Sequence, residues 1–129
     1  DLLQLKQGKE ELFIVDDKLG TPTYTHDFAK NVKLLLENEY WGLYNMVCGG
    51  ITGRYEVAIE LINILGLSDA IKVTPVTSEY WKEEYFAERP PSERLVDKKL
   101  NLREVNIMRD WKVCLKEYIE EYYKEYLPE

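Results

Sequence analysis

The chain has 129 residues, of which 45% are apolar, and its 17 basic and 24 acidic residues give a net charge of −7. This length fits a single domain, and the apolar content is too high for a disordered chain. A net negative charge opposes binding to nucleic-acid phosphates, so no nucleic-acid partner is expected. The best apolar stretch, Val57 to Leu67, contains Glu60 and Asn63 and is too short to cross a bilayer, so no membrane partner is expected.

The N-terminus has none of the features of a signal peptide. The chain opens on DLLQLKQGKEE, without a basic start or a cleavage site, and it does not begin with Met. We therefore expect a cytoplasmic protein whose natural sequence extends upstream. Cys48 and Cys114 lie far apart and outside any CxxC motif, which favours two buried, reduced thiols over a metal or redox site.

The first half of the chain is predicted to alternate β-rich runs with amphipathic helices. Gly20 and Pro22 mark a turn-rich loop over 18–25, and Thr25 or Asp27 is expected to stabilise the start of the helix that follows. The apolar stripe of that helix is Phe28, Val32, Leu35 and Leu36. The predicted elements are a helix tail over 1–7 ended by Gly8, a strand over 12–17, a helix over 27–38, a strand over 42–50 and a helix over 54–65 ended by Gly66.

The second half of the chain is predicted to be mainly helical. Ile59 and Ile64 widen the stripe of the helix over 54–65, which predicts burial on two sides. Pro75 indicates an edge strand, and Asp110 is expected to cap the last helix. The inner stripe of that helix is Trp111, Leu115, Tyr118, Ile119, Tyr122 and Tyr126. The predicted elements are a strand over 71–76, a short helix over 78–86, an extended loop over 88–94, a short helix over 97–104 and a long helix over 110–127.

Strands that alternate with helices favour the α/β class over a helical bundle. The prediction is an α+β fragment with a sheet of about three strands and about five helices. Three strands are few for a doubly wound sheet, so the chain is expected to be part of a larger protein.

The first candidate site is VDDKLGTPTYT over 15–25. A turn before a helix N-terminus exposes backbone N–H groups, and the helix dipole favours a phosphate or another polar ligand there. The same segment is also compatible with an ordinary strand-to-helix turn whose polar residues only cap the helix.

The second candidate site is a basic island over 89–103 in an otherwise acidic chain. It contains five basic and two acidic residues. Arginine suits bidentate contact with phosphate, and a loop stiffened by Pro90 and Pro91 loses little entropy on binding. The alternative is a solvated, charged helix.

Other chemistry is weakly indicated. His26 is the only histidine and is expected to be a surface residue at a helix start. Asp16–Asp17 and Glu120–Glu121 have no His or Cys partner at metal spacing, so no metal ligand is assigned. The glycine-rich dinucleotide fingerprint is missing, and Gly50-x-x-Gly53 is a single pair that carries little information. No tyrosine is followed four residues later by lysine, so no catalytic residue is assigned.

Several segments together resemble the dTDP-4-dehydrorhamnose reductase family of extended short-chain dehydrogenases/reductases. They occur in the family's order over nearly the whole chain. Two departures stand out: Lys18 occupies a position where Gln is common, and Ser92–Glu93 occupy positions where Asn-Ser is common. The similar segments are VDDKLGTPTYTHDFAK, EYWGLYNMVCGG, RYEVAIELINILGL, IKVTPVTSEYW, ERPPSERLVDKKL and MRDWKVCLKEYI.

The resemblance implies that residues 1–129 form the C-terminal substrate-binding domain of a sugar-nucleotide reductase in rhamnose and polysaccharide biosynthesis. NADPH or NADH would bind an upstream Rossmann domain, where a Tyr–Lys pair would serve the 4-keto reduction. The strand over 43–48 would complete the edge of that Rossmann sheet. The implied partners are a nucleotide-diphosphate sugar and the chain's own N-terminal domain. The candidate substrate-binding residues are Gly20, Thr21, Pro22, Thr23, Arg89, Pro90, Ser92 and Arg94.

Two further expectations follow from the resemblance. The chain alone is expected to be inactive and to self-associate, through apolar surface on the helix over 54–65 and an open strand edge at 43–48. Because Glu93 places a carboxylate in the loop over 88–94, close to Arg89 and Arg94 in sequence, two alternatives stay open. One is a non-catalytic regulatory or scaffold paralogue, and the other is a reductase or epimerase for a different nucleotide sugar.

Overall fold

The computed structural model describes residues 8–83 and 89–126. These residues form two strands and four α-helices, together with two short 3₁₀ turns over Ser78–Trp81 and Lys124–Tyr126. The predicted α/β class is confirmed, although the strand and helix counts are lower than expected. The elements are β1 (Glu11–Val15), α1 (Thr25–Glu37), α2 (Arg54–Ile64), β2 (Lys72–Val76), α3 (Lys98–Leu102) and α4 (Trp111–Tyr122).

The two strands lie side by side and run parallel. Leu12 pairs with Val73, and Ile14 pairs with Pro75. Parallel neighbours need a long crossover, which here contains α1 and α2. Both strands were predicted within two residues of their observed ends, and Pro75 lies on an edge strand as expected.

The predicted strand over 42–50 is wrong. Within the described residues this segment belongs to neither strand of the sheet, and only Gly49 forms a bridge, with Asp110. The Val47 N–H instead donates to the Asp97 carboxylate at 3.0 Å. The composition of the segment suits a strand, but a strand needs a partner edge, and the described residues offer none beside it.

Helix α2 is packed on two sides, as its wide apolar stripe predicts. Ala58 and Ile62 join the β-strand residues Leu12 and Ile14 in one cluster, whereas Leu61 and Leu65 join Ile119 of α4 in another. This packing corrects the expectation that α2 carries the exposed apolar surface. That surface lies elsewhere, with Trp41 69% exposed and Leu43 87% exposed.

Helix α1 buries a polar face that its apolar stripe does not predict. The residues it buries are Asp27, Asn31 and Leu35, whereas Phe28 and Leu36 are exposed. Asn31 accepts from the Ile107 N–H at 3.1 Å and donates to the Val105 carbonyl at 3.0 Å. The segment packed against α1 therefore offers unpaired backbone groups, and an amide satisfies them where a leucine could not.

Side-chain capping explains the start of one of the two helices for which a cap is predicted. The Asp110 carboxylate accepts from the Lys112 N–H at 2.9 Å and caps α4, as predicted. Helix α1 begins at Thr25, so neither Thr25 nor Asp27 is its N-cap, and the N-cap Tyr24 makes no side-chain cap bond; Asp27 does lie in the first turn, where a carboxylate favours the helix start. Tyr118 and Tyr122 were expected inside but are exposed. The predictions over 1–7, 84–88 and 127 lie outside the described residues.

Candidate functional site

The backbone of Leu19 joins the two segments that the sequence identifies as candidate sites. Its N–H donates to the Pro91 carbonyl at 2.9 Å, and its carbonyl accepts from the Glu93 N–H at 2.9 Å. The loop over 18–25 and the loop over 89–94 therefore lie side by side. The sequence pattern indicates each loop separately, and nothing in it indicates that the two loops meet.

Two further bonds order the 89–94 loop. The Lys18 Nζ donates to the Arg89 carbonyl at 2.8 Å, although the two residues are 71 positions apart. The Ser92 hydroxyl accepts from the Arg94 N–H at 3.3 Å, so one of its lone pairs is engaged inside its own loop. Lys18 was noted in the sequence only as a departure from the family, and here it is a structural link.

A third loop, over 50–53, completes the arrangement. The Gly20 N–H donates to the Thr52 carbonyl at 3.0 Å, and the Thr21 hydroxyl donates to the Gly50 carbonyl at 3.0 Å. We call the place where the loops over 18–25, 50–53 and 89–94 meet the three-loop junction.

Gly53 is needed at this junction because two backbones approach closely there. It forms an antiparallel bridge with Leu19, and a Cβ atom on Gly53 would lie 2.6 Å from the Lys18 carbonyl oxygen. That oxygen belongs to the backbone and has little freedom to move. The sequence signal for the third loop is therefore the Gly50-x-x-Gly53 pair, which carries little information on pattern alone.

Asp17 anchors the chain just before the first loop to the 3₁₀ turn that follows β2. Its carboxylate accepts from the Ser78 N–H at 3.0 Å and from the Ser78 hydroxyl at 2.8 Å. The bond from the backbone N–H of Ser78 is the main cause that holds the pKa of Asp17 below its usual value. This carboxylate therefore positions the loop rather than offering itself to a ligand.

The charged side chains at the junction are exposed. The Arg89 Nη1 lies 3.2 Å from the Glu93 Oε1, with the two side chains 72% and 53% exposed. Pro22, Thr23, Pro90 and Arg94 are exposed as well. A surface with a hydrogen-bonded backbone and an exposed guanidinium has the chemistry to bind an anion such as a phosphate.

The basic island predicted over 89–103 is divided in the fold. Arg89 lies at the three-loop junction, whereas Lys99 and Arg103 contact aromatic rings of the segment that follows α1. The Lys99 Nζ lies 4.4 Å from the centre of the Tyr44 ring, and the Arg103 guanidinium lies 4.6 Å from the centre of the Tyr40 ring. The island therefore supplies at most its first arginines to the candidate site.

An ion-pair network beside the junction is structural. The Arg109 guanidinium donates to both carboxylate oxygens of Asp27 at 2.8 Å, and its Nη1 donates to Glu117 at 2.6 Å. Asp27 is 2% exposed, and the bonds from Arg109 hold its pKa below the usual value. The sequence did not identify this network, because its members lie on α1, α4 and the segment between α3 and α4.

The lone histidine and the two cysteines take no part in the junction. Both ring nitrogens of His26 are hydrogen-bonded to phenol groups, at 3.2 Å from the Tyr24 hydroxyl and 2.9 Å from the Tyr122 hydroxyl. Cys48 and Cys114 are buried free thiols, as predicted, with their sulfur atoms 3.7 Å apart. Burial is the main cause that raises the pKa of Cys114 to about 12, so its reactive thiolate form is rare at neutral pH.

The described residues contain neither a membrane-spanning helix nor a metal-binding cluster. Over 8–83 and 89–126, no helix combines the length and apolar character that crossing a bilayer requires. The same residues contain no group of three His, Cys, Asp or Glu side chains placed to hold a metal ion.

Comparison with known proteins gives one family and several relatives. The model of the RmlD substrate binding domain family matches residues 1–124. The spore coat polysaccharide biosynthesis protein SpsK of Bacillus subtilis is 35% identical over 121 residues, which is 93% of this chain and 40% of that protein.

The fold is also found in solved structures. The dTDP-4-dehydrorhamnose reductase of Clostridium acetobutylicum superposes with a TM-score of 0.85 at 35% identity, covering 93% of this chain and 41% of that one. The Bacillus anthracis dTDP-4-dehydrorhamnose reductase, solved in complex with NADP, gives 0.81 at 25% identity, covering 94% of this chain and 41% of that one. The chain thus spans about two fifths of the length of these relatives.

Proposed function

Because the chain belongs to the RmlD substrate binding domain family, we propose that it is the nucleotide-sugar-binding part of a dTDP-4-dehydrorhamnose reductase. The observation that carries the proposal is the three-loop junction, where the backbone of Leu19 holds the loop over 89–94 against the loop over 18–25. The junction offers Arg89 on a fixed backbone, and a guanidinium can bind two oxygens of a diphosphate at once.

The whole enzyme would transfer a hydride from NADPH or NADH to the 4-keto carbon of a dTDP-linked 6-deoxyhexose. A proton would go to the oxygen, and dTDP-L-rhamnose would result. This chain does not fit the cofactor, since its sequence contains neither a glycine-rich fingerprint nor a Tyr-x-x-x-Lys pair. We assign those parts to the remainder of the protein and expect this chain to be inactive alone.

The test is a pair of measurements on the complete protein and on these 129 residues. NADPH oxidation should require both the complete protein and a dTDP-4-keto sugar, and turnover by the 129 residues alone would contradict the proposal. In the complete protein, Arg89→Ala should weaken dTDP binding roughly ten- to a hundredfold, because a charge-assisted bidentate contact is lost.

Arg94→Ala is the matched control for that variant. Arg94 lies in the same loop and carries the same charge, but it follows Glu93 and lacks the link from Lys18 that orders the Arg89 backbone. Its removal should weaken binding less than that of Arg89. Equal affinity of the Arg89→Ala variant and the wild type, measured by calorimetry, would show that the loop is only a solvated surface.

A second candidate function is a regulatory or scaffold role without catalysis. The observation that favours it is the Arg89–Glu93 ion pair, which reduces the positive charge available for a diphosphate. The same pair leaves open a reductase or epimerase that acts on another nucleotide sugar. The sequence of the remainder of the protein separates these cases, since loss of the glycine-rich loop and of the Tyr–Lys pair would favour the scaffold.

The exposed apolar surface supplies a candidate partner face. Leu43 on the segment over 42–50 and Trp41 just before it are exposed, and this segment belongs to neither strand of the sheet. Leu36 and Leu102 are also more than half exposed. We propose that this face contacts the N-terminal domain of the complete protein, whose sheet would supply the partner edge that the described residues lack.

A further inference from the structure

The contact between Arg89 and Glu93 has a use beyond loop structure. We propose that Glu93 is a positioning residue that holds the Arg89 guanidinium while the site is empty and yields it to a phosphate of the incoming ligand. The inference rests on the proposed function, since it takes Arg89 as the diphosphate contact. It adds to that function a competing carboxylate built into the same loop.

The backbone of the loop is fixed independently of this ion pair. The Leu19 backbone bonds to Pro91 and to Glu93, and Lys18 bonds to the Arg89 carbonyl. These contacts involve main-chain atoms of the 89–93 segment only. The guanidinium can therefore leave Glu93 by side-chain rotation, and no movement of the loop is required.

The two acceptors compete for the same donors. The Arg89 Nη1 donates to the Glu93 Oε1 at 3.2 Å, and a phosphate oxygen that used this nitrogen would displace the carboxylate. A displaced but nearby carboxylate also repels a diphosphate. Both effects lower the affinity for the ligand, and both vanish when the charge of Glu93 is removed.

The size of the effect of Glu93 on ligand affinity follows from the exposure of the Arg89 and Glu93 side chains. The side chains of Arg89 and Glu93 are 72% and 53% exposed, and an ion pair of this kind is weak in water. Glu93 therefore tunes the affinity and does not block the site. Removal of its charge should tighten binding by roughly 1.5- to fivefold.

The experiment measures dTDP and inorganic pyrophosphate binding to the complete protein by calorimetry at low and at high salt. Glu93→Gln keeps the shape of the side chain and removes its charge, so both probes should bind more tightly, and more so at low salt. Glu37→Gln is the control, because Glu37 forms the same i,i+4 type of exposed pair with Lys33 on α1, away from the junction. It should leave the affinity unchanged.

A double-mutant cycle separates competition for Arg89 from a purely structural role. In an Arg89→Ala background, Glu93→Gln should lose the part of its effect that comes from competition for the guanidinium and keep only the smaller part that comes from repulsion of the diphosphate. An unchanged affinity for Glu93→Gln, or an equal gain with and without Arg89, would overturn the inference while the site itself stands. If dTDP does not bind the wild type, or Arg89→Ala binds as well as the wild type, the proposed site fails and this inference with it.

Discussion

Asp27 shows what a single buried charge does in this fold. It is 2% exposed and lies in the first turn of α1, but its partner is Arg109, on the segment that leads into α4. The bidentate contact satisfies a carboxylate that would otherwise be costly to bury. Asp27 also accepts from the Arg109 N–H at 3.3 Å, so one side chain ties the start of α1 to the main chain before α4.

Asp27→Asn should therefore destabilise the protein by about 1.5–3 kcal/mol, the range for hydrogen bonds to charged groups. Urea denaturation at neutral pH measures the loss. Glu117→Gln is the control: Glu117 also pairs with Arg109, but it is 39% exposed, so its removal should cost less than about 1 kcal/mol. Equal costs for the two variants would contradict the assignment of Asp27 as the structural anchor.

The contribution of Asp27 to the free energy of unfolding depends on pH in a defined direction. The folded-state pKa of Asp27 is lowered by its bonds from Arg109, so the unfolded chain binds the proton more readily. The stability that Asp27 contributes is fully present above its unfolded pKa of about 3.9 and is lost as the pH falls through the lower folded pKa. The free energy of unfolding of the wild type should fall more steeply below about pH 4 than that of Asp27→Asn. Parallel pH profiles of the two proteins would contradict this explanation.

At the scale of elements, the three-loop junction depends on close approach of main chains. Gly53 immediately precedes α2, and its bridge to Leu19 brings the Lys18 carbonyl within a distance that excludes a side chain. Glu56, in the first turn of α2, accepts from the Gly53 N–H at 2.8 Å and fixes the same point from the helix side. The start of α2 and the loop that follows β1 are thereby positioned together.

Gly53→Ala should lower the stability by about 1–3 kcal/mol, because the added methyl group meets a backbone oxygen at 2.6 Å. Gly20→Ala is the matched control: a Cβ at Gly20 meets no atom within 4 Å, so the same change should alter stability little. Thermal and urea unfolding of both variants test this. Similar stabilities for the two variants would show that the loop over 18–25 can move away from Gly53.

At the scale of the whole molecule, contacts within the described residues do not cover the apolar face formed by Trp41, Leu43, Leu36 and Leu102. The segment over 42–50 is held in its second half by Asp97, which accepts from the Val47 N–H and whose pKa is raised mainly by burial. Two residues later it is held again by the Gly49 bridge to Asp110. Before these two points in the chain, Leu43 is 87% exposed and the nearby Trp41 is 69% exposed, and clustered exposed apolar side chains mark an interaction surface.

The isolated chain should therefore self-associate, with an apparent mass that rises with concentration in light scattering. Leu43→Glu should reduce this association, because it places a charge in the face that would be buried. Val113→Glu is the control, since Val113 is also exposed but lies on α4. A wild-type chain that stays monomeric at high concentration would contradict the prediction.

The sequence by itself determined the class of fold, both strands of the sheet, the helices and the two segments that meet at the candidate site. These features have local causes: the period of apolar residues, a capping Asp110, and the conformational limits of Pro90 and Pro91. Both Arg89 and the loop over 18–25 could be proposed as site components for the same reason, since each belongs to a short motif.

The tertiary structure alone decided which of these parts come together. The bonds of Leu19, the close approach at Gly53 and the burial of Asp27 each join residues that are far apart in the chain. Local patterns cannot encode such pairs, because a backbone group or a carboxylate takes whichever partner the fold brings within hydrogen-bond distance. The strand predicted over 42–50 failed for the same reason: strand composition is a local property, whereas a strand exists only where a neighbouring edge accepts its hydrogen bonds.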